Sequence, residues 1–162
     1  YESPADRKPD GDGRATFRWA QLCNADAGLI DTEKPLAFEV GVATRDYSGQ
    51  LRFGCTVWRR DGVAVGSAFT PAFSPCPHGR ETVVRVTFRP PWLAPGRYHF
   101  SMSVGKGNNE EGRMEDFDRL YEVLPFEALG PEGEGSTVAT WAPNWGVVRF
   151  PTPELTLLTR LP

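Results

Sequence analysis

The sequence predicts an all-β fold, an antiparallel β-sandwich of the immunoglobulin-like or jelly-roll kind. Three observations lead there. The run at 93–104, L-A-P-G-R-Y-H-F-S-M-S-V, places Tyr98, Phe100, Met102 and Val104 at every second position after a Pro-Gly turn. Strict alternation marks a strand with one buried face, so His99, Ser101 and Ser103 point the other way. Leu36, Phe38, Val40 and Val42 repeat the pattern, as do Leu51, Phe53, Cys55 and Val57. Finally, fifteen Pro and seventeen Gly are scattered between apolar runs, as the many turns of a sandwich require.

In chain order, residues 1–13 lack apolar periodicity and read as an interdomain linker, with the sandwich domain over 14–162. Residues 15–23 form a first strand in which Phe17, Ala20 and Leu22 share a face only if a bulge interrupts the alternation, which turns Trp19 outward. The run at 36–43 follows, then the run at 51–58, whose outward set is Arg52, Gly54, Thr56 and Trp58. Arg60-Asp61-Gly62 makes a tight turn into residues 63–70, because Asp-Gly readily takes positive φ, and this pair reads as a hairpin. Residues 71–79 carry three prolines and form a loop. Val84, Val86 and Phe88 line the buried face of the next strand. Beyond the 93–104 strand, 105–113 reads as a polar, mobile hairpin tip and 115–126 as another strand. After a loop at 131–135 come residues 137–150, with Trp141 and Trp145 flanking Pro143, and a short strand over 155–158.

Length and charge narrow the function classes. A chain of 162 residues is long enough for one domain to bury a core without staples. A formal net charge of −3 and a pI near 5.4 leave no basic stripe for phosphates, which argues against nucleic acid or an anionic membrane surface. No apolar run is long enough to span a bilayer. Cys23, Cys55 and Cys76 are odd in number, and no Asn-X-Ser/Thr acceptor occurs, so a reducing compartment fits better than secretion. With neither an initiator Met nor a signal segment, the chain reads as a piece of a longer polypeptide.

Most motifs of chemistry fail. Gly105-Lys106-Gly107 lacks the upstream Gly, the following Ser or Thr and the helix of a phosphate-binding loop. Cys76 and His78 would supply two metal ligands, but His99 is the one other histidine and the remaining cysteines sit on or beside apolar strands. Glu110, Glu111, Glu115, Asp116 and Asp118 read as a solvated face, with nothing dry to raise a carboxyl pKa. No nucleophile–base constellation is recognisable, so no enzyme is expected.

Binding remains, and sugars suit this composition. A pyranose offers an apolar C–H face to a flat ring and a rim of hydroxyls to polar groups. Trp19 and Trp58 are the outward ring candidates, and His99, Ser101 and Ser103 are the polar partners if the third and sixth strands pair, as in an immunoglobulin-like sandwich. Covering about 80–100 Å² of apolar surface at ~25 cal/mol per Å² contributes about 2 kcal/mol, so one ring needs polar help. The competing reading of each Trp is a cover for a cross-strand neighbour or an oligomer contact. Trp92, beside two prolines, reads as core-edge packing. Trp141 and Trp145 are not ranked among platform, packing and dimer contact.

The order of these features resembles the C-terminal domain of the nucleotide-binding subunit of polysaccharide-exporting ABC transporters of the Wzt type. The matching stretches are A-T-F-R-W-A-Q-L-C-N-A-D-A-G-L-I-D-T, K-P-L-A-F-E-V-G-V, F-G-C-T-V-W-R-R-D-G-V-A-V-G-S-A-F-T, the 93–104 run and E-D-F-D-R-L-Y-E-V, covering about 14–126. The late G-S-T-V-A-T-W-A-P-N-W looks like the family's closing strand, although 146–162 runs longer than the family's pattern. The resemblance implies a non-catalytic carbohydrate-binding module, cytoplasmic at the inner face of the cell membrane. It would recognise the end of a lipid-linked polysaccharide such as O-antigen. The implied partners are an ATPase domain joined through 1–13, a membrane-spanning subunit and a second copy of the chain in a homodimer. The rival class is an immunoglobulin-like protein-interaction domain without glycan binding.

Overall fold

A computed structural model describes residues 1–4, 6–23, 25, 27–76, 80–108, 113–130 and 141–151. The strands are β1 (Ala15–Leu22), β2 (Leu29–Ile30), β3 (Leu36–Thr44), β4 (Arg52–Arg59), β5 (Ala64–Phe69), β6 (Thr82–Phe88), β7 (Gly96–Asn108) and β8 (Arg113–Ala128). One sheet has the order β1-β3-β6, the other β2-β8-β7-β4-β5. The all-β sandwich is therefore as expected, and β4 pairs with β7 antiparallel, as the outward-face argument required.

Alternation decides what faces inward. Phe17 of β1 and Phe38 of β3 come from one sheet and meet Phe53 of β4 and Phe100 of β7 from the other. Phe17 and Phe53 sit edge-on at 6.0 Å, and Phe38 and Phe100 at 5.0 Å. Aromatic pairs in this geometry add to the stabilisation from area burial alone. The bulge expected in β1 lies between Phe17 and Trp19. Arg59 to Val63 closes the β4–β5 hairpin, with Gly62 at φ 86° supplying the positive φ foreseen at Asp-Gly.

Three features differ from, or add to, the sequence reading. β2 was not foreseen; it pairs with β8 in parallel, Leu29 opposite Glu127 and Ile30 opposite Ala128. Residues 141–145, the described part of the closing strand expected over 135–145, instead hold a 3-10 turn over Pro143–Trp145, and Val148 beyond them makes a single bridge to Leu93. Pro143 offers no ladder N–H, which favours a turn over a strand. Of the hairpin tip, residues 105–108 and 113 prolong β7 and β8. Residues 109–112, 137–140 and the 155–158 strand lie outside the described residues.

The segment 1–13 is laid against the sandwich. Ser3 N–H donates to the Arg18 carbonyl at 2.7 Å and Gly13 N–H to the Phe117 carbonyl at 2.9 Å. Arg7 grips the carboxylate of fully buried Asp118 through two bonds, at 2.8 and 2.7 Å. The same carboxylate accepts the N–H groups of Asp10, Phe17 and Arg119. Asp118, expected from the sequence on a solvated face, is instead buried with its oxygens taken up by donors, as burial of a polar group requires. Asp118 thus ties β8, β1 and the N-terminal segment together.

Candidate functional site

The outward side of the five-stranded sheet is built from β4 and β7 in register. Trp58 lies opposite His99, Thr56 opposite Ser101 and Gly54 opposite Ser103. Four of the five candidate residues from the sequence, Trp58, His99, Ser101 and Ser103, therefore share one face. Trp19 does not join them. It lies on the three-stranded sheet opposite Gly41, its indole packed where a Gly41 Cβ would stand, and its Nε1 donates to Glu81 at 2.8 Å.

The face is more polar and more contoured than the sequence indicated. At its His99 end lies a cleft of about 530 Å³, shaped by Arg60, Arg97, His99, Glu122, Pro125 and Glu127. Arg97 pairs with Glu127 at 3.4 Å, whereas Arg60 and Glu122 have no charged partner among the described residues. The β8 bulge helps to shape this end, because Glu122 and Leu124 both take positive φ, 52° and 51°. A site of this size with convergent donors and acceptors is of ligand-binding dimensions.

Trp58 is half-buried, and its Nε1 is shut from solvent with no hydrogen-bond partner. Such an orphaned donor costs about 1–3 kcal/mol. At the other end of the face, Phe69 of β5 is 56% exposed and rests on Gly54, where an added Cβ would come within 3.0 Å of the ring. Thr56 and Ser67 join their hydroxyls at 2.8 Å between the two ends. On β8, Tyr121 is 60% exposed. Phe69, Tyr121 and the cleft's charged rim escaped the sequence reading. The available signal was Gly54 itself, a glycine inside a strand, which marks a place where something lies close on the backbone.

The remaining tryptophans lie elsewhere. Trp92 is half-buried and stacks against the Arg149 guanidinium at 5.7 Å, in keeping with a packing role. Trp141 and Trp145 meet edge-on at 5.6 Å, with Trp141 Nε1 donating to the Gly146 carbonyl. Among the described residues, no group of His, Cys, Asp or Glu is arranged to hold a metal ion. No helix among them is long and apolar enough to cross a membrane.

Comparison with known proteins fixes the family. Among solved structures the chain is similar to one described as the C-terminal domain of wzt, with TM-score 0.72 and 16% identity over 95% of this chain and 90% of that one. That likeness carries the fold. Two weaker likenesses carry no argument: Pseudomonas fluorescens alkylpurine DNA glycosylase AlkC bound to DNA with an abasic site analog (TM-score 0.46, 12% identity, 73% of this chain and 31% of that one), and a glycoside hydrolase family 2 beta-glucuronidase (0.41, 14%, 67% and 10%). No curated protein matches the sequence. The family described as the Wzt C-terminal domain matches residues 6–148, and the chain belongs to that family, a domain type of Wzt-type ABC transporters.

Proposed function

We propose that the chain is a non-catalytic carbohydrate-binding module that holds the end of a lipid-linked polysaccharide, O-antigen or a similar glycan, for export by an ABC transporter. The observation that carries this reading is the cleft beside His99, where Arg60 and Glu122 have no charged partner among the described residues, on a face that also presents Trp58, Ser101 and Ser103. Charged and hydroxyl groups replace the water that sugar hydroxyls lose, and the ring supplies an apolar surface. Trp58 Nε1 offers a donor that a ligand oxygen would satisfy after a small movement of the ring.

The module would work at the inner face of the cell membrane, beside an ATPase domain and a membrane-spanning subunit, and it needs no cofactor of its own. Paired modules raise effective concentration, so a site of roughly millimolar affinity, about 4 kcal/mol, suffices to select cargo. The homodimer this requires is supported by Trp145 and Phe150, which are 53% and 82% exposed on the 141–151 segment. Those two residues also favour the rival reading, a protein-interaction domain.

Calorimetric titration with polysaccharide from the source strain, and with an unrelated glycan, tests the proposal. Binding of the first alone, weakened in His99→Ala and in Trp58→Ala, is the expected result. Equal binding of both glycans, or of neither, removes the glycan reading and leaves the interaction domain.

A further inference from the structure

A second cavity, of about 430 Å³, lies on the other sheet and shares no residue with the cleft at His99. It forms where the N-terminal segment passes the start of β1 and the end of β3. Four guanidinium groups from separate stretches line it: Arg7 of the segment, Arg14 before β1, Arg18 of β1 and Arg45 after β3. Two are neutralised. Arg7 is spoken for by Asp118, and Arg14 by Asp12 at 2.5 Å and by Glu115, which also pairs with Lys106 at 2.9 Å. Arg18 and Arg45 have no carboxylate partner among the described residues, and Asp46 is the one lining acid without a cation. The local balance is positive in a chain whose formal net charge is −3. Ser3, Thr16 and Thr44 add hydroxyl-bearing side chains to the same wall.

We propose that this cavity binds an oxyanion-bearing small molecule of about the size of a sugar phosphate, gripped by Arg18 and Arg45. Guanidinium forks match phosphate and carboxylate oxygens in a two-bond geometry. One side of the cavity is built by the N-terminal segment. Ser3, Pro4, Arg7, Pro9 and Asp12 belong to the N-terminal segment, whose own hold on the sandwich is a few hydrogen bonds and the Arg7–Asp118 pair. A ligand that binds only the closed arrangement must stabilise it by mass action, so anion occupancy and docking of the segment are linked.

The test uses the 162-residue chain with inorganic phosphate, glucose 1-phosphate, glucuronate and uncharged glucose as probes. Glucose 1-phosphate is expected to bind, with phosphate weaker and glucose silent. Glucuronate matching glucose 1-phosphate would assign the same site to carboxylated sugars. The R18A/R45A double variant should bind at least about tenfold more weakly, as losing charge-assisted contacts requires. Both side chains are exposed, so this variant keeps the fold. Amide exchange at Ser3 and Gly13 should slow with saturating ligand in the parent and not in the variant. Dissociation constants all weaker than about 10 mM, or binding indifferent to R18A/R45A, overturn the site. Binding that leaves Ser3 and Gly13 exchange unchanged overturns the linkage.

Discussion

Trp19 and Trp58 occupy matching positions on opposite faces of the sandwich, each half-buried on an outward strand position, yet they are in different chemical states. Trp19 lies across Gly41 with its Nε1 bonded to Glu81, so its donor is satisfied within the chain. Trp58 faces His99 beside an open cleft, and its Nε1 is buried without an acceptor. A satisfied tryptophan is a lid over its own sheet. An unsatisfied one, next to a polar hollow, keeps a donor that nothing within the chain uses, and the proposed glycan site draws on it.

The contrast can be broken by substitution. Trp58→Ala should weaken glycan binding about 30-fold, the roughly 2 kcal/mol of one stacked ring, whereas Trp19→Ala should leave the affinity unchanged. Equal losses in the two titrations would erase the distinction. Gly41→Ala, which would set a Cβ 2.3 Å from Trp19 Nε1, should lower stability by about 1–3 kcal/mol in a urea melt, because the lid must lift. Trp58→Phe keeps a ring and deletes the orphaned donor, so it should hold stability level or raise it by about 1 kcal/mol while glycan affinity falls. A clear loss of stability would mean that Nε1 has a partner after all.

A separate effect, confined to alkaline pH, concerns the thiol behind Trp58's strand. Cys55 is buried on the inward side of β4 and burial pushes its thiol up to about 12, while Cys23 and Cys76 are exposed. A thiol reagent near neutral pH should therefore label two cysteines in the folded chain and the third only on unfolding. Burial also raises the Tyr98 phenol, whose hydroxyl donates to the Ala94 carbonyl at 2.7 Å. Both groups hold their protons more tightly when folded, so their contribution is complete below pH 9.0, the unperturbed thiol value, and is lost as pH climbs toward about 12. Cys55→Ala should flatten that alkaline decline in a pH series of melts.

What was legible in the sequence was what depends on neighbours along the chain. Period-2 alternation marked β3, β4 and β7, the Asp-Gly turn marked the β4–β5 hairpin, and the outward row His99, Ser101, Ser103 followed from strand geometry alone. The cleft was not legible, because Arg60, Arg97, Glu122 and Glu127 come from a turn and two strands that only the sheet order brings together. Nor was the docking of residues 1–13, whose anchor pairs Arg7 with a residue 111 positions away. β2 is two residues long and leaves no periodicity to read.

The contacts of Tyr1, Glu2 and Ser3 along β1 have a consequence for solubility. Glu2 bridges Trp19, Ala20 N–H donates to the Tyr1 carbonyl, and Ser3 N–H caps the Arg18 carbonyl, so these residues occupy the outer rim of the three-stranded sheet. An uncovered strand rim is a template on which other chains can zip themselves. The short N-terminal run thus acts as a bumper against aggregation, and trimming it would invite molecules to pair through β1.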